Sequence, residues 1–157
     1  MKIKLILIGK TKSKFLLNGE REYEKRLKHY CKFSELIIPD IKNGGKLSKK
    51  ELKEKEGKVI LASLKNSDYV ILLDNKGITL SSIEFSEFLN KKMVSSSSEF
   101  VFIVGGAFGF SESVYKRANT KLSLSKMTFS HQMVRMIFKE QLYRAFTILK
   151  GEKYHHE

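Results

Sequence analysis

The chain has few cysteine, histidine and acidic residues, and it has no long apolar run. Its 157 residues include one cysteine, Cys31, which excludes an internal disulfide and indicates a reducing cytoplasm. With one cysteine and four histidines, we do not expect a structural zinc site, and we predict no metal. No apolar run approaches the roughly 18 residues that a membrane span requires. We therefore expect a cytoplasmic protein that does not enter a membrane.

The opening segment, MKIKLILIGK, is a poor match to a signal peptide. Its apolar run is short, alternates early with lysine and has no cleavage site, so we interpret it as a buried first strand. Hydrophobic residues make up 41% of the chain and charged residues 30%, which is ordinary for a globular protein. A chain of this length can bury a core of its own.

The shortage of acidic residues makes the chain strongly basic. Thirty Lys and Arg oppose seventeen Asp and Glu, which gives a formal net charge of +13. Residues 1–58 contain 17 of the basic residues and 8 of the acidic ones. A field of this sign and size favours a polyanionic partner, most simply nucleic acid. A lysine-rich composition that only aids solubility is the alternative.

Strand-like and helix-like segments alternate along the chain. The predicted strands are 3–8, 34–39, 68–74, 99–104 and 121–125. The predicted helices are 14–30, 48–64, 81–93, 111–118 and 131–150, and residues 95–98 are predicted to form a polar loop. Apolar strands that alternate with helices indicate an α/β fold, with a mostly parallel sheet flanked by helices. No linker or repeat divides the sequence, so we predict one domain over residues 1–157.

Three glycines follow the most hydrophobic predicted strand, in the stretch VFIVGGAFGF. Gly105, Gly106 and Gly109 lie at the carboxyl end of that strand, which is where open α/β sheets bind ligands. The spacing is GGxxG, not the GxGxxG of a dinucleotide site, and the strand is fourth in the chain, not first. A Walker loop is also absent. A tight strand-to-helix turn without a ligand is the open alternative.

The long last helix is predicted to begin after Ser130, whose hydroxyl can cap its first turn. Its apolar stripe comprises Met133, Ile137, Leu142, Phe146 and Leu149, and a second apolar flank comprises Val134, Phe138 and Ala145. Because apolar residues cover much of its girth, we expect this helix to be buried against a second subunit. Arg135 and Lys139 lie off the stripe.

Three segments, VFIVGGAFGF, LSLSKMTFSHQMVRMIFKEQLYRAF and the terminal EKYHH, together resemble the RlmH family. Members of this family are SPOUT-superfamily methyltransferases that methylate ring N3 of a pseudouridine in helix 69 of 23S ribosomal RNA. The resemblance covers the whole chain, including KIKLILIGK, REYEKRL and KEKEGKVILA. It implies a C-terminal trefoil knot, a homodimer, S-adenosylmethionine (SAM) as the methyl donor and RNA of the assembled ribosome as the substrate. Periodicity does not suggest a knot, because knots are nearly absent among folds.

The resemblance also implies site residues. Carried onto this chain, the SAM contacts fall on Leu73, Gly105, Leu124, Ser125, Lys126, Met127, Thr128 and Phe129. The catalytic, RNA-facing side of the pocket is expected to comprise His131, Arg135, Tyr154 and His155. One departure is Ser130, which stands where the family usually has proline and makes the rigidity of the cofactor loop less certain.

Each of these residues also has a plainer interpretation. His131 can be a helix-start histidine bonded to backbone, Arg135 can form a salt bridge between subunits, and the tail can be frayed. Which group removes the N3 proton is left open. Lys10, Lys12 and Lys14 are expected to contact RNA phosphates, whereas the lysines of 46–58 are interpreted as a solvated helix face. The competing function is a non-catalytic RNA-binding protein of the same fold.

Overall fold

The computed structural model describes residues 1–95 and 98–156. The described strands form one parallel sheet in the order β2-β1-β4-β3-β5. The strands are β1 (Lys2–Ile8), β2 (Lys32–Ile38), β3 (Tyr69–Thr79), β4 (Phe100–Val104) and β5 (Thr120–Ser123). The helices are α1 (Lys14–Leu27), α2 (Lys49–Ala62), α3 (Ser82–Ser95), α4 (Glu112–Arg117) and α5 (Met133–Leu149), with a short 3-10 turn at Gly44–Lys46.

The sheet separates two apolar layers, and this confirms the predicted α/β class. Helices α1, α3 and α5 cover one face, where Leu27, Leu89 and Phe138 pack on the sheet. Helices α2 and α4 cover the other face through Ile60 and Val114. All five residues of β4 are buried, because the strand lies in the middle of the sheet and side chains on both faces meet helices. The trefoil knot stays a prediction, since strand order does not specify how the chain is threaded.

Strand β3 is longer than the predicted 68–74. After a register shift, Ile78 and Thr79 pair again with Leu122 and Ser123 of β5. The intervening DNKG looks like a turn in sequence, but here it is an irregular stretch within one strand. A Cβ on Gly77 would lie 2.6 Å from the backbone nitrogen of Leu122, so the close approach of the two strands requires glycine there.

The predicted polar loop at 95–98 agrees with the structure only in part. Ser95 is the last residue of α3, and residues 96 and 97 lie outside the described residues. At the start of α2, Ser48 and Glu51 form the predicted capping box. No helix among the described residues has the length and apolar character needed to cross a bilayer.

Helix α5 begins at Met133, two residues later than predicted, and it packs differently. The Met133 amide donates a hydrogen bond of 3.1 Å to the Ser130 hydroxyl, which confirms the serine cap. Phe138 and Ala145, assigned to a second subunit, are fully buried within this chain, because α5 packs against both α1 and α3. That part of the argument for a dimer was wrong.

The two basic residues off the apolar stripe, Arg135 and Lys139, are also fully buried. The Lys139 ammonium forms salt bridges with the carboxylates of Glu20, Glu24 and Glu35, at 2.7, 2.6 and 2.6 Å. A buried charge is tolerated only when it is paired in this way. These ion pairs join α5 to α1 and β2.

Candidate active site

A cavity of about 630 Å³ opens at the carboxyl edge of the sheet. Three stretches of chain enclose it: the end of β3 from Leu73 to Lys76, the loop from Val104 to Phe110, and the stretch from Leu122 to His131. Val134 of α5, Lys53 of α2 and Tyr115 of α4 complete the lining. Its size lies within the range of about 300–1,000 Å³ that is usual for small-molecule sites.

Most of the sequence-predicted site residues come together in this first cavity. Its lining includes Leu73, Gly105, Leu124, Ser125, Met127, Thr128, Phe129 and His131. Lys126 is exposed and is absent from the lining, although both of its neighbours contribute to it. Arg135, Tyr154 and His155 do not line the first cavity in this chain.

The glycine loop, residues 105–109, packs tightly against the side chains of Phe110 and of Glu56 from α2. A Cβ on Gly105 would lie 3.1 Å from the ring of Phe110, and one on Gly106 would lie 2.8 Å from both carboxylate oxygens of Glu56. Gly109 has a φ of +82°, which L side chains rarely adopt. The glycines are therefore needed for the loop to close beside the cavity.

The opposite wall is held by short local hydrogen bonds. The Met127 amide donates to the Ser125 hydroxyl at 2.9 Å, and the Ser123 hydroxyl donates to the Ser125 carbonyl at 2.8 Å. At the end of β3, Asp74 accepts from the Lys76 amide at 2.8 Å and from the Tyr115 hydroxyl. Burial and this carboxylate raise the pKa of Tyr115 to about 12. Tyr115 therefore keeps its proton and holds Asp74 in place.

His131 lies at the start of α5 on the rim of the cavity. Partial burial lowers its pKa below the ordinary 6.5, and the positive charges of Arg135 and Lys12 lower it further. The carboxylate of Asp40 opposes this shift, with an effect smaller than that of Arg135 and larger than that of Lys12. The imidazole is therefore neutral at neutral pH and can accept a proton.

Arg135 lies beneath this rim and does not have the RNA-facing position expected from the sequence. Its guanidinium donates to the carbonyls of Ile8 and Gly9 at 2.7 and 2.8 Å, to the Thr11 hydroxyl at 3.2 Å and to the His131 carbonyl at 3.0 Å. These bonds join the start of α5 to the loop that follows β1. Sequence spacing could not reveal partners so distant along the chain.

The tail residues fold back along the second half of α5. The Tyr154 hydroxyl donates to Glu140 at 3.1 Å, and the Nδ1 atom of His155 lies 3.2 Å from a guanidinium nitrogen of Arg144. Helix α5 has 17 residues and is therefore about 25 Å long. The Tyr154 hydroxyl nevertheless reaches back to Glu140, nine residues after His131, so the tail lies beside the middle of the helix, roughly 14 Å from His131 along its axis.

Two lysines of α2 are closer to the cavity than the sequence suggested. Lys53 contributes to the lining, and the Lys49 ammonium lies 5.1 Å from the ring centre of Phe108, which is 47% exposed. The interpretation of the lysines in 46–58 as a solvated face was therefore wrong for Lys53, whereas Lys49 is exposed as that interpretation expects. The same helix supplies Glu56, whose burial and whose proximity to Asp40 raise its pKa. Its regular alternation with lysine concealed that burial.

Comparison with known proteins agrees with this geometry. The family model described as "Predicted SPOUT methyltransferase" matches residues 1–155. The chain is 57% identical over 157 residues to a protein of Flavobacterium johnsoniae and 55% identical over 157 residues to one of Parabacteroides distasonis. Both are named ribosomal RNA large subunit methyltransferase H, and the matches cover 100% of each chain.

A solved structure, that of a probable methylase family protein from Haemophilus influenzae, has a similar fold. Its TM-score is 0.52 at 9% identity, with 97% of this chain and 67% of that chain covered. At this identity the likeness concerns the fold alone. The family is shown by the sequence matches: the chain belongs to the SPOUT methyltransferases, in the family named ribosomal RNA large subunit methyltransferase H.

Proposed function

We propose that this enzyme methylates large-subunit ribosomal RNA with SAM as the donor, at ring N3 of a pseudouridine in helix 69. The observation that carries the proposal is the first cavity. It brings Leu73, Gly105 and the 124–129 segment together, although they are separated by up to 56 positions in the sequence. The names of the full-length relatives give the reaction class and the RNA.

The cavity suits SAM in its size and in its lining. Leu73, Leu124 and Phe129 offer apolar surface for an adenine ring, and the glycine loop lies beside it with no side chains at 105 and 106. Their missing Cβ atoms would meet Phe110 and Glu56, so main chain can form the wall there. When bound, SAM supplies a methyl group on a sulfonium, which is an activated form that a ring nitrogen can accept.

The chain's own task in this reaction is to orient the ring and to take its proton. Ring N3 of pseudouridine carries a proton that must leave as the nitrogen becomes methylated. We assign its acceptance to His131, which lines the cavity and is held neutral by burial, Arg135 and Lys12. Arg135 acts as a positioning residue, because its bonds orient the start of α5.

The tail residues Tyr154 and His155 enter the site only if a second subunit supplies them. Tyr154 contacts Glu140 of its own α5, roughly 14 Å along the helix axis from His131, and neither tail residue lines the first cavity of its own chain. We therefore propose a homodimer in which the tail of one subunit completes the RNA-facing side of the other subunit's pocket. This arrangement reconciles the residues expected at the site with their separation in one chain.

The charge of the molecule supports an RNA substrate. A net charge of +13 attracts a polyanion, and Lys49 and Lys53 stand at the cavity with the exposed ring of Phe108. Exposed aromatic rings beside cations are a common means of stacking on unpaired bases. Because the substrate is RNA in the assembled ribosome, we propose that the enzyme acts in the cytoplasm.

Two measurements test the proposal. Calorimetric titration is expected to show SAM binding, with NAD and FMN as controls that do not bind. Ribosomes from a strain lacking the enzyme are then incubated with protein and SAM, digested, and analysed by nucleoside mass spectrometry for methylated pseudouridine. SAM binding without methylation would favour the non-catalytic RNA-binding protein, and absence of SAM binding at millimolar concentration would reject the enzyme.

A further inference from the structure

A second cavity, of about 310 Å³, lies on the other side of His131. It is formed by the ends of β1 and β2 and by the start of α5. The lining residues that matter here are Gly9, Lys10, Lys12, Asp40, His131 and Gln132. The family resemblance assigns no role to Asp40 or Gln132.

The two cavities are neighbours on one edge of the sheet. Leu7 of β1 pairs with Val104 of β4, so Gly9 and Gly106 follow at the ends of adjacent parallel strands. Such strands lie about 4.8 Å apart. His131 lines both cavities. A planar ring over Gly9 would therefore be next to a ligand held at the glycine loop.

The walls of the second cavity are fixed before any ligand arrives. The Lys12 amide donates to the Gln132 side-chain oxygen at 2.8 Å, and the Gln132 side-chain nitrogen donates to the Lys10 carbonyl at 3.1 Å. The buried guanidinium of Arg135 holds the carbonyls of Ile8 and Gly9 from below. Hydrogen bonds thus join the loop after β1 to the start of α5. A wall that is ordered in this way loses little conformational freedom when a ligand binds.

The cavity offers one carboxylate and two cations. The Asp40 carboxylate lies against Gly9, 2.7 Å from where a Cβ on that residue would be, and Gly9 has a φ of +73°. Glycine at this position lets the carboxylate approach the cavity floor. Lys10 and Lys12 are exposed at the same place and can meet a phosphate.

We propose that the second cavity receives the pseudouridine ring that is methylated, with Asp40 accepting a hydrogen bond from ring N1–H and with Lys10 and Lys12 binding the nucleotide's phosphate. This inference rests on the proposed function. Ring nitrogens N1 and N3 flank the C2 carbonyl, so N3 can face the first cavity while N1 faces Asp40. Uridine has its glycosidic bond at N1 and no hydrogen there, so the same carboxylate selects pseudouridine over uridine.

The test compares Asp40→Ala with Glu54→Ala, which removes an exposed carboxylate that lines neither cavity. Two ribosome preparations are used, one with pseudouridine in helix 69 and one from a strain that leaves uridine there. We expect the Asp40→Ala substitution to lower methylation of the pseudouridine ribosome by roughly ten- to one-hundred-fold, which is the contribution of a hydrogen bond to an ionised group. SAM affinity, uridine methylation and the Glu54→Ala variant should stay at wild-type values.

A second readout avoids catalysis. Binding of the two ribosome preparations is measured without SAM, and the wild-type preference for pseudouridine should disappear in Asp40→Ala. An unchanged preference would overturn the inference. Loss of the dimer in Asp40→Ala would also overturn it, because that loss would mean that the partner's chain, and not the nucleotide, contacts Asp40 in the second cavity. Failure of the proposed function would appear differently, as wild-type protein that methylates neither preparation, and the binding preference would still decide the inference.

Discussion

At the scale of single residues, Gly105 is where the site is most sensitive to added volume. A Cβ there would already lie 3.1 Å from the ring of Phe110, which is 4% exposed and cannot move freely. In the Gly105→Val variant, overpacking of about 1–3 kcal/mol should push the glycine loop toward the cavity. We expect SAM affinity, measured by calorimetry, to be lost while the protein stays folded.

The matched control is Gly45→Val, at a glycine whose added Cβ would meet nothing within 4 Å. This control should bind SAM as the wild type does. If Gly105→Val also keeps wild-type affinity, the glycine loop is not a wall of the SAM site.

His131 gives a prediction about pH. Its pKa lies below 6.5, so the neutral imidazole that can accept a proton persists in mildly acidic solution. As the solution is acidified, the methylation rate should therefore reach half of its maximum at a pH below 6.5. Lys12→Ala removes a positive charge that lowers this pKa, so the decline should begin at a higher pH.

Single-turnover methylation and NMR titration of the His131 ring check this prediction together. Lys55→Ala, a change at an exposed lysine that lines neither cavity, is the control and should leave both curves in place. An unshifted His131 titration in Lys12→Ala would contradict the assigned cause of the low pKa.

Some of the site was predictable from single residues, and some was not. Gly105 and the 124–129 segment were predictable because glycines directly after a buried strand often mark a close approach of main chain, and because the surrounding motif is specific. Asp40 and Glu56 were missed because one acidic residue carries no spacing signal. Only the fold places them beside Gly9 and Gly106.

At the scale of elements, α5 depends on a buried arginine. The Arg135→Lys variant loses the planar guanidinium, whose two terminal nitrogens donate to the buried carbonyls of Gly9 and Ile8. These carbonyls then lose their donors. Each unsatisfied buried acceptor costs about 1–3 kcal/mol. We therefore expect a fall in the free energy of unfolding, measured by urea denaturation, of about 2 kcal/mol or more.

The control is Arg26→Lys, in an exposed pair with Glu22 on α1, where the change should be at most about 0.5 kcal/mol. A direct RNA-facing role for Arg135 predicts something else. It predicts weaker ribosome binding at an unchanged free energy of unfolding, and that result would reject the positioning role.

The elements themselves were largely predictable, because apolar runs and caps are local signals. Ser48, Glu51 and Ser130 marked helix starts that the structure confirms. The extension of β3 to Thr79 was not predictable, since DNKG has the composition of a turn and only pairing with β5 makes it part of a strand. The burial of Lys139 likewise depends on Glu20, Glu24 and Glu35 in other elements.

At the scale of the whole molecule, the proposed dimer can be tested by mixing two inactive variants. One variant carries Gly105→Val and has an intact tail, and the other lacks residues 153–157 and has an intact first cavity. Each variant alone should be inactive, because every site lacks either the cavity or the tail. After subunit exchange, half of the dimers combine one chain of each kind, and each of these has one complete site, so about a quarter of wild-type activity should return.

This result separates two arrangements that one chain cannot distinguish. If the tail served the cavity of its own chain, both variants would stay inactive in every combination, because no subunit would contain both parts. Tyr154 and His155 do not line the first cavity of their own chain, and this argues for the shared site. Recovery after mixing would then show that each site draws on both subunits, and the dimer would be a requirement of catalysis.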